Sequence, residues 1–425
     1  MTSPSVRTVQ LDEALFRTDC PNGLAVVTER LPALRSAAAG IWLRTASGHE
    51  TRARMGVSHL LEHMVFKGTR QRTAREIATA LEVRGGSLDA FTSRDNTAFQ
   101  AHVIDSDLPL ALDVLTDLVR HPLLRESDLA LERNVVLEEL NGVLDSPDDL
   151  VGELWGETIW PDHPYGYSIL GTAESVRALT AQDLEATHRA GYYPGNAVIA
   201  IAGNIDHDDV MATLDKLGWN EGAARNALAP VAAGQAARGV LRTELRDSQQ
   251  VHAIIGTDTV GAADPRRWGL ALLTSVLGGG MSSRLFQRVR EELGLCYAIS
   301  AWHSTYRAAG VFGVYVGTQP GTAERALDAI DEELARVGRE GLPASDLADA
   351  KGQIRGQVLL ALESVTSRMG RLAVHILNDE PYRSIDQVLG LIDAVTAEET
   401  ARLGADFLMP DRMTTVRLGP ASVAA

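Results

Sequence analysis

A chain of 425 residues with 40 Lys and Arg against 56 Asp and Glu carries a formal charge of −16, the wrong sign for a nucleic-acid partner. Its two cysteines, Cys20 and Cys296, make no disulfide framework, and no run approaches the about 18 apolar residues that a membrane span needs. The opening residues, MTSPSVRTVQLDEALF, lack an apolar signal core and a small-residue cleavage site, so the expected location is the cytoplasm.

In chain order, apolar stretches predict strands over 24–27 and 39–43. Gly56-Val57-Ser58 then opens a short apolar helix containing His59-Leu60-Leu61-Glu62-His63. After Gly85-Gly86 comes the strand Asp89-Ala90-Phe91-Thr92-Ser93, followed by a helix over 108–119. Residues 127–144 read as a helix with Ser127 as its N-cap; Glu132 and Glu139, seven apart, share the face of Leu129, Val136 and Val143 and are expected to point inward. A strand over 197–202 precedes an Ala- and Gly-rich stretch without pattern, 221–238. Beyond it lie a strand over 251–255, the turn Gly278-Gly279-Gly280, and helices over 283–293 and 326–337. That glycine run lacks the Lys-Ser/Thr of a phosphate loop and the third spaced glycine of a dinucleotide fingerprint, which excludes a nucleotide site of either kind.

Residues 111–140 echo 326–358 at an offset of 215 to 218, which implies two homologous halves. The expected organisation is α+β: a first domain over 1–222, a linker over 223–238, and a second domain over 239–425, each a mostly antiparallel sheet backed by helices. At the offset of 218, Glu132 falls on Ala350 and Glu139 on Gln357, and the second half has nothing like H-x-x-E-H. Only the first half is expected to bind metal.

The chemistry follows from the spacing. A helix turns about 100° per residue, so His59 and His63 come within about 40° of one face and can reach one ion, with Glu62 close enough to take a proton from water there. Two histidines leave a tetrahedral zinc short of one protein ligand, and Glu132 and Glu139 are both candidates to supply it. The reaction class is metal-assisted hydrolysis. The nine other histidines lack partners at ligand spacing, and no G-x-S-x-G elbow or Cys-His arrangement points to a covalent nucleophile.

GVSHLLEHMVFKGT and ERNVVLEEL, together with NGLAVVTERLP, GGSLDAFTSRDNTAF, HPYGYSILGT, PGNAVIAIAGNID and SSRLFQRVREELGLCYAISA, resemble the pitrilysin family of metallopeptidases, which includes insulysin and the mitochondrial processing peptidases. The resemblance implies a zinc-dependent endopeptidase with one Zn²⁺ per chain on His59, His63 and Glu139, Glu62 as general base, and Glu132 as a supporting carboxylate. It implies that Arg284 and Tyr297 hold substrate and help stabilise the tetrahedral intermediate. A peptide is expected to add as a strand along Asp89, Ala90, Phe91 and Thr92. Asp89 departs from the Asn common in the family, replacing a neutral amide by an acceptor-only carboxylate. Half-length members form two-jaw chambers that admit peptides and unfolded segments, so a homodimer is expected, or a heterodimer with an inactive paralogue. A scaffold or assembly subunit is the alternative from a different class.

Overall fold

The computed structural model of the chain describes residues 6–420. In the first half, β1 (Arg7–Asp12), β2 (Leu15–Asp19), β3 (Ala25–Arg30), β4 (Ser36–Leu43), β5 (Ser87–Thr92), β6 (Thr97–Ile104) and β7 (Ala197–Gly203) form one sheet, in the order β1-β2-β3-β7-β4-β6-β5. Helices α1 (Val57–Val65) and α2 (Ala74–Glu82) join β4 to β5, and α3 (Leu108–Arg120), α4 (Glu126–Asp145) and α5 (Pro147–Ile159) follow β6. Then come α6 (Ala173–Ala178), α7 (Ala181–Gly191) and, after β7, α8 (His207–Lys216). In the second half, β8 (Leu241–Leu245), β9 (Val251–Thr259), β10 (Cys296–Thr305), β11 (Gly310–Thr318) and β12 (Thr414–Gly419) form a sheet ordered β10-β11-β9-β12-β8. Its helices are α9 (Arg267–Gly278), α10 (Ala323–Glu340), α11 (Ala344–Ala361), α12 (Val365–Leu377), α13 (Ile385–Ala394) and α14 (Ala397–Phe407). No helix among the described residues is long and apolar enough to cross a membrane.

The duplication is written in the strand pairing. Five strands of the first sheet, β3-β7-β4-β6-β5, match β8-β12-β9-β11-β10 in order, and in both sets the first pair is parallel and every other pair antiparallel. The helices match too: α5 begins at Pro147 and α12 at Val365, 365 − 147 = 218 residues apart, and each runs 13 residues. This is the α+β architecture of two related halves, with the hairpin β1-β2 added to the first sheet.

Both faces of the central strands β4 and β7 are covered, which explains why, past Ser36, they are apolar throughout rather than alternately. Ala37, Ala39, Ile41 and Leu43 of β4, with Ile199 and Ile201 of β7, enter the core under α1 and α3. Ala38, Trp42, Val198 and Ala200 face the other way, onto Met369, Leu372, Ala373 and Ile376 of α12.

That contact cuts across chain order. One compact unit takes residues to 140 with 169–231 and 359–382; the other takes 141–168, 232–358 and the residues from 383. The halves therefore exchange equivalent helices. The first sheet receives α12 from the second half, and the second sheet receives α5 from the first, where the Trp155 indole N–H donates to the Thr414 carbonyl at 3.0 Å. Residues 221–238 have no regular structure, and the units part within them, between 231 and 232.

Two local expectations shift. Helix α4 starts at Glu126, with the Asp128 and Leu129 amides bonding back to the Arg125 carbonyl, so Ser127 lies in its first turn and not at the cap. The helix expected over 283–293 is π-helical over Phe286–Glu292, a wide-turned geometry that spacing alone does not distinguish from an α-helix.

Candidate metal centre

Helix α1 is nine residues long, and Leu60, Leu61, Met64 and Val65 of it are fully buried. Packing those side chains inward turns His59, Glu62 and His63 toward the space between α1, α4 and β5. The imidazole centroids are 4.5 Å apart. His59 Nε2 and His63 Nε2 each lie 3.7 Å from Glu139 Oε2, and the three donor atoms fall within 4.8 Å of one another. A tetrahedral ion with bonds of about 2.0–2.1 Å sets its ligands roughly 3.3 Å apart, so these donors match it to within a few tenths of an ångström on two sides. Two imidazole nitrogens and one carboxylate oxygen are a donor set that suits zinc.

Helix α4 supplies two different carboxylates. Glu132, 5% exposed, takes His63 Nδ1 at 3.0 Å on one oxygen and the Lys67 ammonium at 2.6 Å on the other. A carboxylate in that setting is an acceptor, so His63 Nδ1 donates and its Nε2 keeps a lone pair toward Glu139. Glu139, two turns on, has a side chain 41% exposed. The expectation that both would point inward is corrected: they share a face, but only the N-terminal half of that face is packed, around Leu129 and Val136, while the Glu139 end is open to solvent. Of the two candidates for third ligand, Glu139 stands with the imidazoles and Glu132 behind one of them.

Glu62 is buried, and the Thr92 hydroxyl donates to its Oε2 at 2.6 Å. Its pKa lies above the ordinary carboxylate value, chiefly through burial; the Thr92 hydrogen bond and His63 oppose that, while Asp89 and Glu139 add to it. Burial, with His63 beside it, pushes His59 down to about 4, which keeps the imidazole neutral and able to ligate.

β5 is the edge of its sheet, paired only with β6. Leu88, Ala90 and Thr92 alternate inward, and Ser87, Asp89 and Phe91 outward. The Asp89 carboxylate accepts from the Ala90 amide at 2.9 Å, and Phe91 is exposed. Thr92, expected among residues that meet substrate, also holds Glu62.

In the other unit, the Arg284 guanidinium lies 3.2 Å from Glu333 and 3.5 Å from Asp346, so two carboxylates fix it. Tyr297 sits at a register shift between Cys296 and Ala298 in β10, 78% exposed, with Arg290 over its ring at 5.3 Å.

Two residues of the first unit were invisible in the sequence reading. Lys67 follows α1 in the FKGT segment, and its role appears only through Glu132. Glu50 lies in irregular backbone six residues before Gly56; it is buried and accepts the Gly56 and Ser58 amides at 2.8 Å each. The signal the sequence did offer was an acid ahead of a helix whose N-cap position is Gly56, with no Ser, Thr, Asp or Asn there.

An α+β chain duplicated within itself, with imidazoles and a carboxylate converging, among the described residues, in the first half alone, defines a two-domain protein with a candidate divalent-metal centre. The family description "Insulinase (Peptidase family M16)" matches residues 25–173, and "Peptidase M16 inactive domain" matches 178–354. A protein of Streptomyces coelicolor named an uncharacterized zinc protease is 39% identical over 92% of this chain and 87% of its own length. Another with that name, from Mycobacterium leprae, is 40% identical over 95% and 91%. A crystal structure described as a peptidase M16 inactive domain from Pseudomonas fluorescens shares the fold at a TM-score of 0.89 and 22% identity, covering 98% of this chain and 99% of that one. The chain belongs to peptidase family M16.

Proposed function

We propose that the chain is a zinc-dependent endopeptidase that cleaves extended segments of peptides or unfolded polypeptides. The observation that carries the reading is the convergence of His59 Nε2, His63 Nε2 and Glu139 Oε2 beside Glu62, which is itself held by the last residue of an edge strand.

His59, His63 and Glu139 would hold the zinc, whose Lewis acidity would polarise a peptide carbonyl and make water easier to deprotonate. Glu62 takes the proton of the attacking water and returns it to the leaving amine. Its pKa, raised by burial, makes it a better proton acceptor than an ordinary carboxylate. Thr92 keeps one Glu62 oxygen occupied and so aims the other. Glu132 and Lys67 hold the His63 ring. The open edge of β5 offers its backbone groups to an incoming strand, which reads chain extension rather than sequence. Arg284 and Tyr297 serve as donors to bound substrate, and a homodimer, or a heterodimer with an inactive paralogue, is the working assembly.

The test is cleavage of a quenched-fluorescent peptide by the purified chain, before and after chelation and after zinc is restored. The reading expects activity to vanish and return. A folded, zinc-loaded chain that cleaves nothing alone or mixed with its paralogues contradicts it and favours a scaffold.

A further inference from the structure

We propose that Glu50 is the positioning residue for His59, so that zinc affinity depends on a carboxylate that never reaches the metal; this rests on the reading that His59 is a ligand. The two histidines of α1 are secured differently. His63 is held through its Nδ1 by Glu132. His59 Nδ1 is buried and has no hydrogen-bond partner among the described residues, so the ring is placed by the backbone that carries it. That backbone is the first turn of a nine-residue helix, too short to hold its own geometry in water.

The turn is clamped from outside. Glu50 accepts the Gly56 amide on one oxygen and the Ser58 amide, next to His59, on the other, both at 2.8 Å. The loop before Glu50 is anchored in turn: Ser47 and Gly48 amides donate to the Ser93 and Arg94 carbonyls, just past Thr92. Glu50 thus links the end of the strand that holds Glu62 to the turn that holds His59. The other side is closed by backbone. Gly56 adopts φ +85°, and a Cβ there would stand 2.6 Å from the Leu170 carbonyl oxygen; Gly171, at φ +83°, would meet the Met55 carbonyl at 2.5 Å. Ser175 donates to that same Met55 carbonyl at 2.9 Å. With so little slack on that side, the two acceptor oxygens of Glu50 are what satisfies the amides of Gly56 and Ser58. An amide in its place turns an N–H₂ donor against one of those N–H groups.

The experiment measures zinc affinity by competition with a chromophoric chelator, together with the visible absorption of the Co²⁺-substituted chain, which reports ligand geometry. Wild type is compared with Glu50→Gln, Glu50→Asp, His59→Ala and the destabilised control Leu372→Ala, whose side chain lies on the opposite face of the sheet. Glu50→Gln is expected to weaken zinc by about 10- to 100-fold and alter the Co²⁺ spectrum, as loss of a ligand-orienting partner does. Glu50→Asp should fall between it and wild type, and Leu372→Ala should lose thermal stability with affinity and spectrum unchanged. Glu50 variants that lose stability but keep wild-type affinity and spectrum overturn the proposal. So does failure of both to fold, which makes Glu50 a determinant of the fold and not of ligand placement. Zinc binding indifferent to His59→Ala instead overturns the metal assignment on which the proposal rests.

Discussion

Helices α1 and α9 occupy the same place in the two halves, after the strands β4 and β9 that match each other in the two sheets. α1 carries His59, Glu62 and His63. α9 buries Leu270, Leu272, Leu273, Val276 and Leu277 and carries no titratable group past its first residue. The same contrast separates Glu132 from Ala350, both buried, and Glu139 from Gln357. The second half shows that the architecture closes its core with aliphatic side chains. His59, His63, Glu62 and Glu132 in the first half carry a desolvation cost the fold does not require, which is the physical argument that they are there for chemistry.

The sharpest way to break the comparison is to make α1 more like α9. His59→Leu should abolish tight zinc binding and peptide hydrolysis while leaving the metal-free chain as stable or more so, since it removes a buried unpaired nitrogen worth about 1 kcal/mol or more. Metal content and thermal unfolding in chelator check both parts. The exchanged helices come next. Leu372→Ala should cost about 2–5 kcal/mol in denaturant unfolding, because α12 seals a face of the first sheet that no helix of the first half covers. Glu132→Gln keeps the size of the buried side chain but loses its charge, and should weaken zinc by about 10- to 100-fold, read by chelator competition.

The smallest effect is in pH dependence. Burial pushes His303 in one unit and His375 in the other down to about 4 from an ordinary 6.5. Each binds fewer protons folded than unfolded in that window, so its contribution is complete above about 6.5 and is lost as pH falls through about 4. Glu50 runs oppositely: burial raises it to about 7, so its contribution is complete below about 4.5 and is lost as pH rises through 7. His303→Gln and His375→Gln should each flatten the acid limb of the stability profile, and Glu50→Gln the neutral limb, in chelator-treated samples.

Much of this was legible in the residues because it is local or periodic. The four-residue spacing of His59 and His63, the seven-residue spacing of Glu132 and Glu139, and the repeat near 218 each follow from helix geometry or from comparing the chain with itself. What escaped depends on packing between distant segments. No periodicity says that α12 covers a sheet whose strands lie more than 160 residues earlier, since its apolar face would fit either half. Glu139 and Glu132 share a face, and only the packed structure shows that the face is half open. Glu50 stands in an irregular stretch whose meaning lies in two amides six and eight residues on.

The most direct test of the account is Glu62→Gln, which leaves all three metal donors in place. At equal zinc content, measured on the same samples, the variant should cleave a quenched-fluorescent peptide about 10²–10⁴-fold more slowly than wild type and bind it as well. Wild-type turnover in a zinc-loaded Glu62→Gln chain would contradict the assignment of the base, and with it the claim that the first half is a hydrolytic centre.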